Sequence, residues 1–267
     1  MERQTTGWLV PLLLAIGAAG ALWYYWIQVN EPVRQPQTLP QPVAEEPRET
    51  PAPLHPMPEP EAGTKERPEL VPLPPLARSD DYFKLALTDI FGGSIEGMLA
   101  SSGMIERIVA TVDNLTRPQV AERIRPLGRL GGQFVVDGQD DSGEFNINSS
   151  NYGRFDALVG LFADADLAEL AELYRRFYPL FQSSYEDLGY PDEYFNDRLV
   201  EVIDDLLATP DIDDQTLLVR PHVLYEFADP DLQSRSSGQK LLLRMGSEHR
   251  SRIKQTLREF RDIATRM

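Results

Sequence analysis

The sequence predicts a mainly α (α+β) protein: a single-span N-terminal membrane helix, a disordered proline-rich linker, and a compact multi-helix domain carrying one small β-hairpin. Three observations predict it. No Asp, Glu, Lys or Arg interrupts the run from Gln4 to Asn30, and residues 32–75 hold 14 prolines. Beyond Ser79, apolar residues recur at three- and four-residue steps, except between Gln133 and Asn148, where the period falls to two.

After an N-terminal tail (1–6), residues 7–29 have the length of a bilayer-crossing helix, which needs roughly 20 apolar residues. Trp8 at one end and Trp23, Tyr24, Tyr25 and Trp26 at the other suit the headgroup level, where amphipathic rings are favoured. A cleaved signal peptide is the rival reading, with Ala19-Gly20-Ala21 as the small-residue cleavage pattern. The apolar run continues past Ala21 into the aromatic cluster, which favours an uncleaved anchor and makes the lipid bilayer its partner. Gly17 and Ala21, four apart, read first as lipid-compatible filler; the alternative is that they let two such helices approach as a homodimer. Arg3 and Arg34 balance across the span, and the short N-terminal tail favours a cytoplasmic N-terminus. The body is then expected in the envelope, beyond the inner membrane.

Residues 30–78 combine proline with Gln, Glu and Ala and have few large apolar side chains, so they are expected to form a spacer with polyproline II character. The 44 residues from Pro32 to Pro75 would reach about 140 Å fully extended and about 35–40 Å as a flexible coil. Irregular spacing disfavours proline docking motifs, and His55 is expected to be solvated.

The domain at 79–267 opens with Ser79 as an N-cap candidate for a helix carrying Phe83, Leu87 and Ile90, ended by Gly92-Gly93. Ile95 to Leu99 suggests a turn. Met104 to Leu115 is a second helix, and Pro118 to Pro126 reads as a further one. Phe134 and Val136, then Phe145 and Ile147, flank a polar tip and predict the hairpin. Leu167, Leu170, Ala171, Tyr174, Tyr178 and Phe181 mark the longest helix, with a kink expected at Pro179. Glu193 to Ala208 is another, buried through Phe195, Leu199, Val202, Ile203 and Leu206. Leu217 to Val219 and Val223 to Phe227 are extended, and helical segments follow near Leu232 and across Gln239 to Met245. Ser247 is the N-cap candidate of the last helix, which carries Ile253, Leu257, Phe260 and Ile263.

Net charge is −16, and the sign is uneven: residues 79–234 carry 30 acidic and 11 basic side chains, residues 235–267 only 3 acidic and 9 basic. An acidic body argues against nucleic acid, which demands a broad basic footprint. The basic tail either touches anionic lipid or closes against the body; its Ile253, Leu257 and Phe260 stripe favours closure. The chain has no cysteine, which removes disulfides, iron–sulfur centres and thiol nucleophiles.

Five stretches together carry a resemblance: Val112-Asp113-Asn114-Leu115, Tyr174-Arg175-Arg176-Phe177-Tyr178-Pro179-Leu180, Leu188-Gly189-Tyr190-Pro191, Tyr225-Glu226-Phe227-Ala228-Asp229-Pro230-Asp231-Leu232 and Gln239-Lys240-Leu241-Leu242-Leu243-Arg244-Met245-Gly246. Across residues 76–265 the chain resembles an uncharacterised family of bacterial single-pass membrane-anchored proteins, a domain of unknown function. The resemblance implies an anchored envelope protein and brings no active site.

Candidate chemistry is sparse. Glu226, Asp229 and Asp231, set among Tyr225 and Phe227, are the densest pairing of carboxylates with aromatics and would suit glycan hydrolysis by two facing acids. The favoured reading of Asp229-Pro230 is instead a helix start, with Asp229 as cap and Pro230 at the first position. Asp137, Asp140, Asp141 and Glu144 at the hairpin tip offer oxygens for calcium, but the sixth position from Asp137 is Ser142, where an EF-hand loop requires glycine, and a solvated turn is the favoured reading. Zinc through His222, Glu226 and Asp229 matches no standard spacing. Asp211, Asp213 and Asp214 read as a polar loop, and an arginine of Arg175-Arg176 is expected to pair with an acidic neighbouring helix. No phosphate loop, dinucleotide fingerprint or Gly-x-Ser-x-Gly elbow occurs, so no cofactor is expected. The sequence therefore favours a non-enzymatic binding or scaffolding domain with a protein partner in the envelope, and a carboxylate hydrolase as the alternative.

Overall fold

Apolar spacing and local capping account for most of the elements in the computed structural model, which describes residues 51–57, 72–138 and 143–266. Helix α1 (Asp80–Phe91) follows a 3-10 turn at Leu76–Arg78. Ser79 stands at its N-cap position without capping it: the hydroxyl donates to the Leu76 carbonyl at 2.8 Å. The Asp80 carboxylate instead reaches out and accepts the amides of Gly103 and Met104, which fixes the start of α2 (Met104–Leu115).

The helix expected between Pro118 and Pro126 is reduced to a 3-10 turn at Glu122–Ile124. Only Val120, Ala121 and Ile124 are apolar there, too few for a buried stripe, and the chain bridges Leu99 to Leu127 instead. Helix α3 (Asp156–Ala163), entered through a 3-10 stretch at Ser149–Phe155, has no counterpart in the sequence reading. Its run Ala157-Leu158-Val159-Gly160-Leu161-Phe162 is apolar all round and shows no 3.6-residue stripe. Asp166 caps α4 (Leu167–Asp187), which continues as one helix through Pro179. Helix α5 is Phe195–Leu207, α6 Pro230–Gln233, α7 Ser237–Arg244 and α8 Ser247–Ala264. Ser247 is not the cap of α8. Gly246 takes that position at φ +86°, and the Ser247 amide and hydroxyl both bond to the Asp214 carboxylate.

The single hairpin becomes a four-stranded antiparallel sheet in the order β1-β2-β3-β4 (Val136–Gly138, Glu144–Ile147, Leu217–Val219 and Glu226–Phe227). The register pairs Val136 with Ile147, Phe145 with Leu218 and Leu218 with Phe227. A two-stranded hairpin is marginal alone, and recruiting β3 and β4 buries its inner face. Phe145, Ile147, Leu218 and Phe227 pack there with Leu232 and Leu243. The larger core lies among the helices, where Phe83 sets its ring edge against Phe177 at 5.0 Å and Phe181 stacks on Phe195 at 5.6 Å.

The basic final helix does close against the acidic body. Arg252 pairs with Asp164 at 2.9 Å, Arg261 with Asp204, and the buried Lys254 donates to the Thr209 carbonyl. The buried Arg250 donates to the Ile212 carbonyl at 2.9 Å, so two of these cations hold the 209–212 loop.

Part of the tract expected to be a free spacer is seated on this body. The Leu54 and His55 amides donate to Asp197, and Met57, Leu73 and Leu76 pack against the helical core. Among the described residues no helix is long and apolar enough to cross a membrane. The spanning helix expected at 7–29 lies outside the described residues, as do Asp140 and Asp141 of the hairpin tip.

Candidate functional site

The amphipathic helices do not close completely on one another. Phe83 and Leu87 of α1, Ile108 and Val112 of α2, Tyr174 of α4 and Phe260 of α8 help wall a partly enclosed cavity of about 280 Å³. Its accessible wall is carbon throughout. Water gains no hydrogen bond from such a surface, whereas an apolar group gains roughly 25 cal/mol for each Å² it hides.

Hydroxyl groups stand behind this wall rather than in it. Tyr174 turns its hydroxyl away to Asn196 Oδ1 at 3.1 Å. Burial pushes the Tyr174 phenol well above its ordinary value, with Tyr178 and Asp197 adding to the shift. The Tyr178 phenol is pushed up to about 12, again chiefly by burial. Both stay neutral at physiological pH. The wall itself is therefore uncharged and suits an uncharged guest.

The carboxylates singled out for chemistry serve as local supports. Asp229 caps α6, accepting the Asp231 amide at 2.8 Å, with Pro230 in the first turn. Glu226 lies on β4 opposite Val219. It is near Arg244, whose guanidinium sits 4.9 Å from the Phe227 ring centroid and donates to the Tyr225 carbonyl. Burial draws Arg244 below its ordinary value while Glu226 opposes that shift. Asp137 accepts from Asn148 at 2.7 Å, and Glu144 is in β2. Among the described residues no group of three or more His, Asp or Glu side chains is placed to hold a metal ion. His222 is exposed beside the equally exposed Val223 and Leu224, and His249 meets Asp156 at 2.9 Å. Arg175 pairs with Glu172 of its own helix, not with a neighbouring one, and Arg176 lies over the Phe177 ring.

Several of the stretches that carry the family resemblance act as joints between elements. Asp113 is buried and meets both Arg117 (2.9 Å) and Arg198 (3.2 Å), tying α2 to α5. Tyr190 stacks on Tyr185 at 4.6 Å and accepts from Arg117. Gln239 donates to the Asp205 carbonyl, and Gly238 lets α7 close on α5, since a Cβ there would fall 2.5 Å from Leu206 Cδ2. Residues 104–261 match the family described as protein of unknown function (DUF3014). The chain belongs to that family. No curated protein and no solved structure matches it. The matched region spans α2 to α8 and so includes most of the cavity wall, while Phe83 and Leu87 of α1 come from outside it.

Two residues that the sequence did not single out as a site stand next to the cavity: Asn196, and Asp197, which the sequence puts on the wet face of its helix. Asn196 is fully buried and Asp197 half-buried at the start of α5, and both contact the seated segment 51–57. The one sequence signal was an Asn-Asp pair in a helix's first turn, which is ordinary capping chemistry. The cavity had no signal, because each lining residue reads as core.

Proposed function

We propose that this is a non-enzymatic binding domain, tethered to the inner membrane by residues 7–29 and facing the envelope, which holds an apolar group of another envelope component in the cavity between α1, α2, α4 and α8. The carbon-lined cavity is the observation that carries the reading. A site built for hydrolysis requires polar groups converging on the reacting atoms, and this one offers none. A domain on a spacer would meet its ligand within a shell near the membrane. The charged flanks of α8, engaged with Asp164 and Asp204, serve closure.

Titration of the full chain with the neutral fluorophore N-phenyl-1-naphthylamine tests it. Saturable binding near one probe per chain, displaced by a competing apolar ligand, is expected. A linear, non-saturating signal would remove the basis of the proposal. Affinity capture of the intact protein from membranes then identifies the component.

A further inference from the structure

The seated segment 51–57 is held through its backbone. Asp197 accepts two successive amides, Leu54 at 2.9 Å and His55 at 2.7 Å. Asn196 Nδ2 donates to the His55 carbonyl at 2.9 Å. The Leu54 side chain points into solvent, 81 % exposed, so it contributes nothing to recognition. Pro51, Pro53 and Pro56 hold φ near −65° and bias the residues before them to extended conformations, so the segment arrives with little order left to lose. Met57 then adds its side chain to the helical core.

The receiving groups are fixed in advance. Asn196 uses its whole amide: Oδ1 accepts from Tyr174, and Nδ2 donates to Ala264 at 3.1 Å as well as to His55. Its orientation is therefore set by α4 and the end of α8, independently of the segment. Asp197 is in the first turn of α5, where the helix dipole favours its charge. Amide bonds to a carboxylate are among the stronger hydrogen bonds, and two converge on one side chain here.

We infer that Asn196 and Asp197 form a main-chain clamp for a proline-flanked peptide bent at Leu54-His55, and that its occupant is this chain's own segment 51–57. The clamp reads two N–H groups and one carbonyl, with a methionine as anchor. If residues 7–29 are an anchor, occupancy moves the start of the spacer toward the membrane, from about residue 72 to about residue 50. The extended reach then falls from about 130 Å to about 60 Å. That consequence rests on the anchor reading; the clamp does not. Because Asn196 also bonds to a tyrosine of the cavity wall, clamp and cavity share one support.

Hydrogen exchange on the full chain tests the clamp. Prolines carry no amide, so a peptic fragment 52–57 reports only Leu54, His55 and Met57. Its exchange is expected to be about tenfold slower than in an unstructured peptide, and Asp197→Ala should abolish the difference. Fragments from the middle of α4 should be unchanged, which separates undocking from unfolding. Replacing 51–57 with Gly and Ser leaves the body intact and should raise exchange at the first turn of α5. The chain has no native cysteine, so nitroxides at Pro51→Cys and Ser251→Cys give a direct distance. One narrow distribution that broadens with Asp197→Ala is expected. Exchange at the unstructured rate in the wild-type chain, or a broad distribution there, overturns the clamp whatever the fate of the anchor or the cavity.

Discussion

The acidic joints and the apolar cavity are opposite solutions to the same packing problem. Asp113, buried between α2 and α5, meets two arginines, and Asp229 is occupied with the first turn of α6. Between α1, α2, α4 and α8 the wall is apolar and leaves about 280 Å³ unfilled. A carboxylate without a partner costs several kcal/mol, so a fold completes such contacts first. A void costs less and can persist where something fills it from outside. In this molecule the concentrated charge marks structure, and the unfilled carbon is where the proposed site lies.

That contrast gives different results when each side is broken. Asp113→Ala should cost the most, about 2–3 kcal/mol, because it leaves Arg198 with Glu201, the Thr116 hydroxyl and a carbonyl as its remaining partners. Urea unfolding measures it, with Asp113→Asn as a control that keeps the shape and loses the charge. A cost near zero for the alanine would mean the joint is ornamental and the contrast fails on its polar side. Asp229→Ala should cost about 1 kcal/mol, the usual loss for an N-cap, with no effect on probe binding. If Asp229→Ala instead removed an enzymatic turnover in the purified protein, the carboxylates of 225–232 would regain a catalytic role.

What was legible in the sequence follows the same division. Long stripes placed the start of α4 and both ends of α5 within a residue or two, and the Asp229-Pro230 cap was readable because capping chemistry is local. Pairing of β3 and β4 onto the hairpin was not, since it depends on contacts seventy residues apart and on strands of two and three residues. Ser79 and Ser247 both have cap-forming side chains that other partners claimed, the Leu76 carbonyl three residues back in one case and the distant Asp214 carboxylate in the other. The spacer misled for a compositional reason. A tract rich in proline lacks the apolar surface to fold alone, but a few residues such as Leu54, His55 and Met57 suffice when a folded body supplies the partners.

The smallest expected change in stability is the one that most directly tests the cavity. Ile108 is half-buried on α2 and lines the void, so Ile108→Phe adds volume into empty space rather than into packed atoms. Overpacking a filled core costs typically 1–3 kcal/mol, whereas here the gain in buried ring surface offsets the loss of shape, and the net change should be under about 1 kcal/mol. Probe binding should nevertheless fall at least about tenfold, because the added ring occupies the space the probe would take, and that corresponds to about 1.4 kcal/mol of lost binding. Thermal unfolding and fluorophore titration on the same preparation separate the two effects. Undiminished binding in Ile108→Phe would place the probe elsewhere. Equal losses in stability and binding would show that the void is part of a packed core, and the distinction between the completed acidic joints and the incomplete carbon wall would then have no functional content.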